Sequence, residues 1–384
     1  MKILQLLPTL SAGGAEGFIT NLGVNMAELG AEIKYFLLAG VRKERGHLLL
    51  ARLKNAGIKV TGIRDRNIRS VMNILELTKI IKTWQPDIVQ ANLFSAEVML
   101  AAASIIGFND KTKYVRRLAD SKIVSKDSSI LSIHLLEKFY HLDIACSVAV
   151  ENAYNKLTNN TYKEKLITIP NGGYLQKNTT TAAEKYIARK ELQIPTTDFV
   201  IAHIGRFSED IPGEGLSADQ KAHDVLLRAF ADAFAGDPSK RLLMLGDGST
   251  IKEAMSLSDA LSITAQTTFI KHLSEPWLLL KAADMFCFPS RYEGLPNVLP
   301  EAASCGLPIL ASDIPEISYI SPDNAWLLKP VDNILAFSSG MKEIKQNYSN
   351  FKKVAEEVSN KIRDEFSMKN CAQKYLDTYK ALFV

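Results

Sequence analysis

The sequence has few cysteines and no long apolar run, and each shortage excludes a class of protein. Its 384 residues include four cysteines without the spacing of a metal site, so no disulfide framework or metal cluster is predicted. The six histidines show no ligand spacing either. No run of eighteen apolar residues occurs, which excludes a membrane-spanning helix. The first eight residues are too short for a signal peptide and predict a β-strand, so a cytoplasmic protein is expected.

The net charge of +4 is unevenly distributed along the chain. Residues 1–175 hold 23 Lys and Arg against 15 Asp and Glu, whereas residues 176–384 hold 23 against 27. A basic half indicates an anionic partner. Nucleic acid is not expected, because basic and aromatic residues are not interleaved. An anionic membrane surface fits better, through the cationic and apolar segments 41–53 and 121–142, although ordinary surface helices packed on their own sheet explain both segments equally well.

Short apolar runs alternate with helical patterns in two series along the chain. This alternation predicts βαβ units with parallel sheets, and the chain length suits two domains. We expect a first domain of residues 1–175 and a second of residues 195–366. Residues 178–194, rich in Thr, Lys and Glu, are interpreted as the linker region. Residues 367–384 have apolar positions at helical spacing and predict an amphipathic helix.

Residues 286–309 (FCFPSRYEGLPNVLPEAASCGLPI) carry most of the functional information. An apolar run ends at Pro289, which is typical of a buried parallel strand leaving its sheet. Asn297 is a candidate N-cap of the helix that follows. Glu293 therefore lies in the loop and Glu301 on the first turn of the helix. In open α/β sheets, such a loop lies at the carboxyl ends of the strands, where ligands bind.

The chemistry of this loop indicates a sugar nucleotide. Free N–H groups near Gly294 and Leu295, close to a helix N-terminus, suit an anionic group such as a diphosphate. The two acids, Glu293 and Glu301, do not help to bind an anion and are better placed to accept hydrogen bonds from hydroxyls. Hydroxyls of that kind belong to a sugar or a ribose, and a sugar nucleotide combines them with a diphosphate.

The pattern S-x-x-E-G-L-P-N-V-L-x-E-A-x-x-C-G-L-P-I-x-A-S-D, which begins at Ser290, resembles a known signature. It is similar to the glutamate–seven residues–glutamate motif of retaining GT-B glycosyltransferases, family 4 in particular. The resemblance is strong over residues 200–320 and looser over residues 1–171. It implies an α/β fold of two Rossmann-like domains whose parallel sheets face each other across a cleft, with the donor on the second domain. It also implies that the helix of residues 367–384 packs back on the first domain.

Departure of a diphosphate from an anomeric carbon requires cations or a metal ion to neutralise its charge. Metal-dependent glycosyltransferases use an Asp-x-Asp pair, and this chain contains none. Arg206 and Lys221 resemble the family's "G-R … K-G" element, in which Arg and Lys hold the donor diphosphate. The chain departs from that pattern in two ways: the intervening loop, residues 207–220, is longer and acidic, and Ala222 replaces the glycine that normally follows the lysine.

Two features of the first half bear on the same site. Gly13 and Gly14 resemble the family's G-G-A-E start, where the glycine backbone approaches the donor phosphate, but a tight turn between a strand and a helix explains them equally well. Many relatives carry a first-domain histidine near the reaction centre, which this chain lacks. Asn92, Arg117 or Asp120 could occupy that space.

The resemblance implies retaining transfer of a sugar from a nucleotide sugar, expected to be a UDP-hexose or a UDP-N-acetylhexosamine, to a saccharide hydroxyl. Arg206 and Lys221 would stabilise the leaving diphosphate, Glu293 would position the sugar hydroxyls, and Glu301 would hold the ribose. Since no nucleophile is evident, front-face displacement is expected, with no metal or cofactor. The basic half and the lack of an export signal motivate the hypothesis of a lipid-linked acceptor of a bacterial surface polysaccharide.

Three alternatives to this function are open. A sugar-nucleotide epimerase shares the two-domain architecture and needs no acceptor. A non-catalytic nucleotide-sugar-binding relative is compatible with the missing histidine and the long loop. A nucleotide-dependent oxidoreductase is disfavoured, because no G-x-G-x-x-G turn follows the first predicted strand.

Overall fold

The computed structural model describes the chain except for residues 12–13, 63–66, 69, 108–110, 120–129, 174, 210–212, 274–276 and 323–324, and the side chains of residues 130–132. The described residues form two compact units. The first comprises Met1–Gly173 and Phe366–Val384, and the second comprises residues 174–365. Within the described ranges, no helix has the length and apolar character that crossing a membrane requires.

The first unit is built on a parallel sheet of seven strands in the order β3-β2-β1-β4-β5-β6-β7. The central strands are buried along almost their whole length, as is typical of parallel strands in α/β units. The strands are β1 (Lys2–Leu7), β2 (Glu32–Leu37), β3 (Lys59–Thr61), β4 (Ile88–Asn92), β5 (Lys113–Leu118), β6 (Leu142–Ala145) and β7 (Leu166–Thr168). The helices between them are α1 (Gly14–Glu28), α2 (Lys43–Asn55), α3 (Val71–Trp84), α4 (Phe94–Ile106), α5 (Ile130–Glu137) and α6 (Val148–Leu157).

The second unit has a parallel sheet of six strands in the order β10-β9-β8-β11-β12-β13. The strands are β8 (Phe199–Ile204), β9 (Lys240–Leu245), β10 (Thr267–Ile270), β11 (Met285–Phe288), β12 (Ile309–Ser312) and β13 (Leu327–Lys329). Its helices are α7 (Ala182–Glu191), α8 (His223–Phe234), α9 (Ile251–Ala260), α10 (Trp277–Ala282), α11 (Val298–Ser304), α12 (Pro315–Ile320), α13 (Ile334–Gln346) and α14 (Tyr348–Phe366). The prediction of two α/β units with parallel sheets is confirmed.

The interpretation of residues 178–194 as a linker is wrong, because they contain α7, which belongs to the second unit. Thr181 and Glu184 form a capping box: the Thr181 hydroxyl accepts from the Glu184 N–H at 3.2 Å, and the Glu184 carboxylate accepts from the Thr181 N–H at 2.9 Å. Arg189 pairs with Asp284 at 2.7 Å and fixes the helix to the sheet. The polar residues that suggested an exposed linker therefore cap and anchor a helix.

The amphipathic helix predicted for residues 367–384 forms as α15 (Met368–Ala381). It packs against α1 of the first unit and contributes to the same core. Its two inward tyrosines, Tyr375 and Tyr379, are fully buried. The Tyr379 hydroxyl donates to the side-chain oxygen of Gln90 on β4. This helix is thus a part of the first unit, although the chain reaches it only after the second unit.

The chain leaves and re-enters the first unit at adjacent points. The Gly173 N–H donates to the Phe366 carbonyl at 2.8 Å, and the Met368 N–H donates to the Gly173 carbonyl at 3.0 Å. At Gly172 the packing leaves no room for a side chain, since an added Cβ would lie 2.6 Å from the Cβ of Cys371. Gly172 therefore permits close contact between the two chain segments at this crossing.

Candidate functional site

The site residues predicted in the second unit lie at one edge of its sheet. β8 and β11 are neighbours, but the chain continues from β8 towards β9 on one side and from β11 towards β12 on the other. In open α/β sheets, ligands bind beyond the carboxyl ends of the strands at such a reversal. β8 ends at Ile204, directly before Gly205 and Arg206, and β11 ends at Phe288, shortly before Glu293. The topology alone therefore brings the two motif segments together.

Lys221 and Glu293 form an ion pair, although they are 72 positions apart in the sequence. The Lys221 Nζ donates to the Glu293 Oε1 at 2.5 Å, and the Ser290 hydroxyl lies 2.5 Å from the same oxygen. The Glu293 side chain is buried, and the ammonium lies 4.9 Å from the centroid of the Phe288 ring. A buried carboxylate is held in place when cations and hydroxyls satisfy it. The pair forms the charged centre of the site.

Lys221 owes its position to an unusual backbone conformation at the next residue. Ala222 precedes α8 with φ 51° and ψ 48°, in the left-handed region that costs a residue with a Cβ roughly 1–2 kcal/mol. The glycine usual at this position would adopt it freely. Ala222 is fully buried, and the Lys221 N–H donates to Asp219 at 2.8 Å. Packing thus enforces on alanine a turn that glycine would make without strain.

Two buried histidines lie beneath the turn that follows β8. The His203 Nδ1 donates to the Cys287 carbonyl at 2.9 Å, and the His223 Nδ1 donates to the Asp219 carboxylate. Burial lowers the pKa of each histidine to about 3, so both rings are neutral at ordinary pH. An added Cβ at Gly205 would lie 2.7 Å from the His203 Nε2. These two rings pack beneath the turn and leave no room for a side chain at position 205, which explains the need for Gly205.

Arg206 extends from the end of β8 with its side chain exposed. Among the residues that the structure describes, no carboxylate is paired with its guanidinium. Lys221, by contrast, is engaged by Glu293. The site therefore presents one cation fixed by the protein and one that is available to a ligand.

Glu301 lies on the first turn of α11, as predicted. Burial raises the pKa of its carboxyl to about 7, although its side chain keeps some exposure to solvent. Asn297 occupies the N-cap position, but its side chain makes no capping hydrogen bond. The N–H groups of Gly294 and Leu295 donate to no described residue. A partly buried acid, together with backbone donors that no described residue engages, can accept hydroxyls while those donors bind an anion.

The site residues predicted in the first unit are Gly13, Gly14, Asn92, Arg117 and Asp120. Gly13 and Asp120 lie outside the described residues. Gly14 opens α1 with no atom within 4 Å of an added Cβ. Asn92 is buried and donates to Gln5 at 2.9 Å, and Arg117 donates to Asn171 at 2.6 Å. Asn92 and Arg117 are therefore engaged by protein partners, and the roles suggested for Gly13 and Gly14 stay predictions.

Sequence reasoning missed two residues that hold the site together. Ser290 contacts Glu293, and Asp219 supports both the Lys221 N–H and the His223 ring. The serine belongs to the S-x-x-E motif, so its spacing was a usable signal. Asp219 lies in the long loop of residues 207–220 and carries no motif signal.

Comparison with known proteins relates the chain to glycosyltransferases. Residues 184–364 match the family model described as glycosyl transferases group 1. Over 247 residues the chain is 26% identical to an uncharacterised glycosyltransferase of Methanocaldococcus jannaschii. This match covers 62% of this chain and only 58% of that protein. Over 370 residues it is 21% identical to the lipopolysaccharide core biosynthesis glycosyltransferase LpsD of Rhizobium meliloti, covering 96% of this chain and 95% of LpsD.

Solved structures resemble the whole chain. The crystal structure of HepE from Anabaena in complex with UDP and glucose matches with a TM-score of 0.81 at 20% sequence identity. The match covers 99% of this chain and 100% of HepE. The two parallel-sheet units thus have the predicted GT-B fold, and the family match supports the glycosyltransferase superfamily.

Proposed function

We propose that the protein is a retaining glycosyltransferase that transfers a hexose or an N-acetylhexosamine from a UDP-sugar to a hydroxyl of a saccharide acceptor. One observation carries this proposal: Lys221 and Glu293 are paired at the strand-order reversal, with the exposed guanidinium of Arg206 at the end of the neighbouring strand. HepE, whose fold this chain shares, has been crystallised with UDP and glucose, which supports a nucleotide-sugar donor.

Arg206 and Lys221 supply the positive charge that the leaving diphosphate requires. As the bond between the anomeric carbon and the diphosphate breaks, its electron pair and negative charge pass to the diphosphate. Arg206 grips the diphosphate through two N–H groups, and Lys221 contributes a point charge from its remaining ammonium protons. The N–H groups of Gly294 and Leu295 add neutral donors. We propose that these groups replace a metal ion in the reaction.

Retention follows from attack on the face that the diphosphate leaves. The acceptor oxygen forms its bond to the anomeric carbon there, and the acceptor proton passes to a phosphate oxygen of the leaving group. Glu293 is held by Lys221 and Ser290, so it is placed to accept sugar hydroxyls rather than to act as a mobile nucleophile. Glu301 accepts the ribose hydroxyls.

The decisive experiment measures donor use with and without an acceptor. Thermal-shift titrations with UDP, GDP and ADP should show stabilisation by UDP, and UDP-sugars should then release UDP faster when a lipid-linked saccharide is added. Release of an epimerised sugar without an acceptor would indicate the epimerase instead. Binding of UDP with no turnover of any UDP-sugar would indicate a non-catalytic relative, and absence of nucleotide binding would contradict the proposal altogether.

We also propose that the acceptor belongs to a bacterial surface polysaccharide and is met at an anionic membrane surface. The match to LpsD covers 95% of that protein, which is named for lipopolysaccharide core biosynthesis.

The exposed side chains favour α3 and α4 over α2 for the membrane contact. Segment 41–53 packs Leu49, Leu50 and Leu53 of α2 into its own core, as an ordinary surface helix does, and exposes Leu48. Segment 121–142 lies partly outside the described residues. The neighbouring helices α3 and α4 instead expose Val71, Met72, Leu75, Val98 and Ile105, with Lys79 and Lys82 on α3.

Vesicle flotation tests this membrane contact. The protein should float with phosphatidylglycerol-containing vesicles, less with pure phosphatidylcholine, and binding should weaken as salt is raised. Replacing Leu75 and Ile105 together with serine should abolish flotation, because their apolar surface is what enters the interface. Ile187→Ser, at an exposed apolar residue of α7 in the second unit, is the matched control. Equal flotation of the double variant and wild type would rule out this face.

A further inference from the structure

Two loops of the second unit are joined by hydrogen bonds from backbone and side-chain groups beside the proposed site. The Arg291 N–H donates to the Gln220 carbonyl at 2.8 Å, and the Gln220 side-chain amide donates to the Tyr292 carbonyl at 2.9 Å. The Ser290 hydroxyl lies 3.0 Å from the same Gln220 carbonyl. Lys221 directly follows Gln220, and Glu293 directly follows Tyr292. The hydrogen bonds between these loops therefore set the distance between the Lys221 ammonium and the Glu293 carboxylate.

The Arg291 side chain reinforces this junction at three points. Its Nη1 donates to the Asp219 carbonyl at 2.6 Å, and its Nη2 donates to the Asp224 carboxylate at 3.0 and 3.2 Å. Its Nε donates to Asp332 at 2.7 Å. Asp219 and Asp224 flank Lys221, whereas Asp332 lies in the turn between β13 and α13. One guanidinium thus ties the Lys221 segment to the Glu293 loop.

The electrostatics of this contact suit an arginine. The Arg291 side chain is 17% exposed, and burial raises the pKa of Asp224 while Arg291 opposes that rise. A lysine offers a point charge and could not span three partners in fixed directions. Because every nitrogen of the guanidinium donates to a protein oxygen, Arg291 is committed to the protein rather than to a ligand.

We infer that Arg291 is a positioning residue that holds Lys221 against Glu293 in the geometry needed for sugar transfer. The inference rests on the proposed function for the roles of Lys221 and Glu293. Arg291 acts through Lys221, so its loss displaces the ammonium from the leaving diphosphate. Its removal should lower kcat more than it raises KM for the donor, because the lost interaction matters most when charge develops on the diphosphate.

A double-mutant cycle tests this dependence. Arg291→Ala should lower kcat/KM by roughly tenfold to a hundredfold, but by less than about threefold when Lys221 is already alanine, since residues that act together are not additive. Equal losses in both backgrounds would overturn the inference. Asp332→Asn is the control: Asp332 is 54% exposed and has a left-handed backbone that asparagine tolerates, so near wild-type activity is expected.

A second readout is independent of activity. The coupling between Lys221 and Glu293, measured by urea unfolding of the two alanine variants and their combination, should shrink when Arg291 is replaced by alanine. An unchanged coupling energy would refute the positioning role of Arg291, even if no UDP-sugar is ever turned over. Failure of the wild-type protein to bind nucleotide would refute the proposed function but not the positioning role. If Arg291→Ala does not fold, Arg291→Lys, which keeps the charge, should show a smaller reduction in the same coupling.

Discussion

Replacing Arg206 with alanine is expected to lower kcat by roughly 10²–10³-fold, as removal of one preorganised charge donor from a transition state typically does. Arg206 is exposed at the end of β8 and unpaired among the described residues, so its loss should leave the fold intact. The proposed leaving group gains negative charge at this position, where the Lys221 ammonium is already paired with Glu293. Steady-state kinetics with the UDP-sugar identified by screening, in EDTA, measures the effect.

Two controls separate this role from a general effect of charge. Arg228→Ala removes an exposed arginine from the outer surface of α8 and should change kcat little. Arg206→Lys keeps the charge but loses the bidentate grip, so it should recover part of the rate. Unchanged kcat in Arg206→Ala, or a strict requirement for a divalent metal ion in the wild type, would contradict the proposed electrostatics.

Donor affinity is expected to rise with pH through the titration of Glu301. Burial raises the pKa of this carboxyl to about 7 in the free protein. The ionised form accepts hydroxyls of the ribose, so between pH 6 and pH 8 the dissociation constant for UDP should fall by roughly tenfold. Calorimetry at the two pH values measures this change. The UDP phosphates also titrate near pH 6, so Glu301→Gln is needed to measure the pH dependence that comes from UDP itself. If wild type and Glu301→Gln show the same pH dependence of UDP binding, Glu301 does not bind the ribose through its ionised form.

The same carboxyl should destabilise the free protein at alkaline pH. Its folded-state pKa lies above the ordinary value of 4.5, so the folded protein binds the proton more tightly than the unfolded chain does. The resulting stabilisation is complete below about pH 4.5 and is lost as pH rises through about 7. Glu301→Gln should therefore melt at a higher temperature than wild type at pH 8, with a smaller difference at pH 5. Glu301 would thus favour ligand binding at the expense of stability.

Much of this arrangement could be predicted from the sequence because it follows from local patterns. The apolar run ending at Phe288 predicted β11, and the alternation of strands and helices predicted both parallel sheets. Since strand ends meet at one edge, the positions of Arg206, Glu293 and Glu301 followed. These inferences depend on periodicity and on motif spacing, which a single sequence displays.

The remaining features depend on contacts between distant segments. The left-handed conformation of Ala222 arises from its buried surroundings, and nothing in an alanine signals it. The need for glycine at position 205 comes from His203 on the preceding strand and from the side chains of Lys221 and His223, which approach from a later segment of the chain. The helix α7 was mistaken for a linker because its charged residues pair with partners such as Asp284, about a hundred positions away. Tertiary pairing of this kind has no local pattern.

The crossing at Gly173 and Phe366 has a consequence for biosynthesis. Residues 174–365 form an uninterrupted insertion, so the ribosome has delivered every part of that unit before the final helix is translated. The first-synthesised unit, by contrast, must wait for Tyr375 and Tyr379 to fill its core. The inserted unit can therefore fold first, while the amino-terminal unit keeps an open apolar face until α15 has been translated.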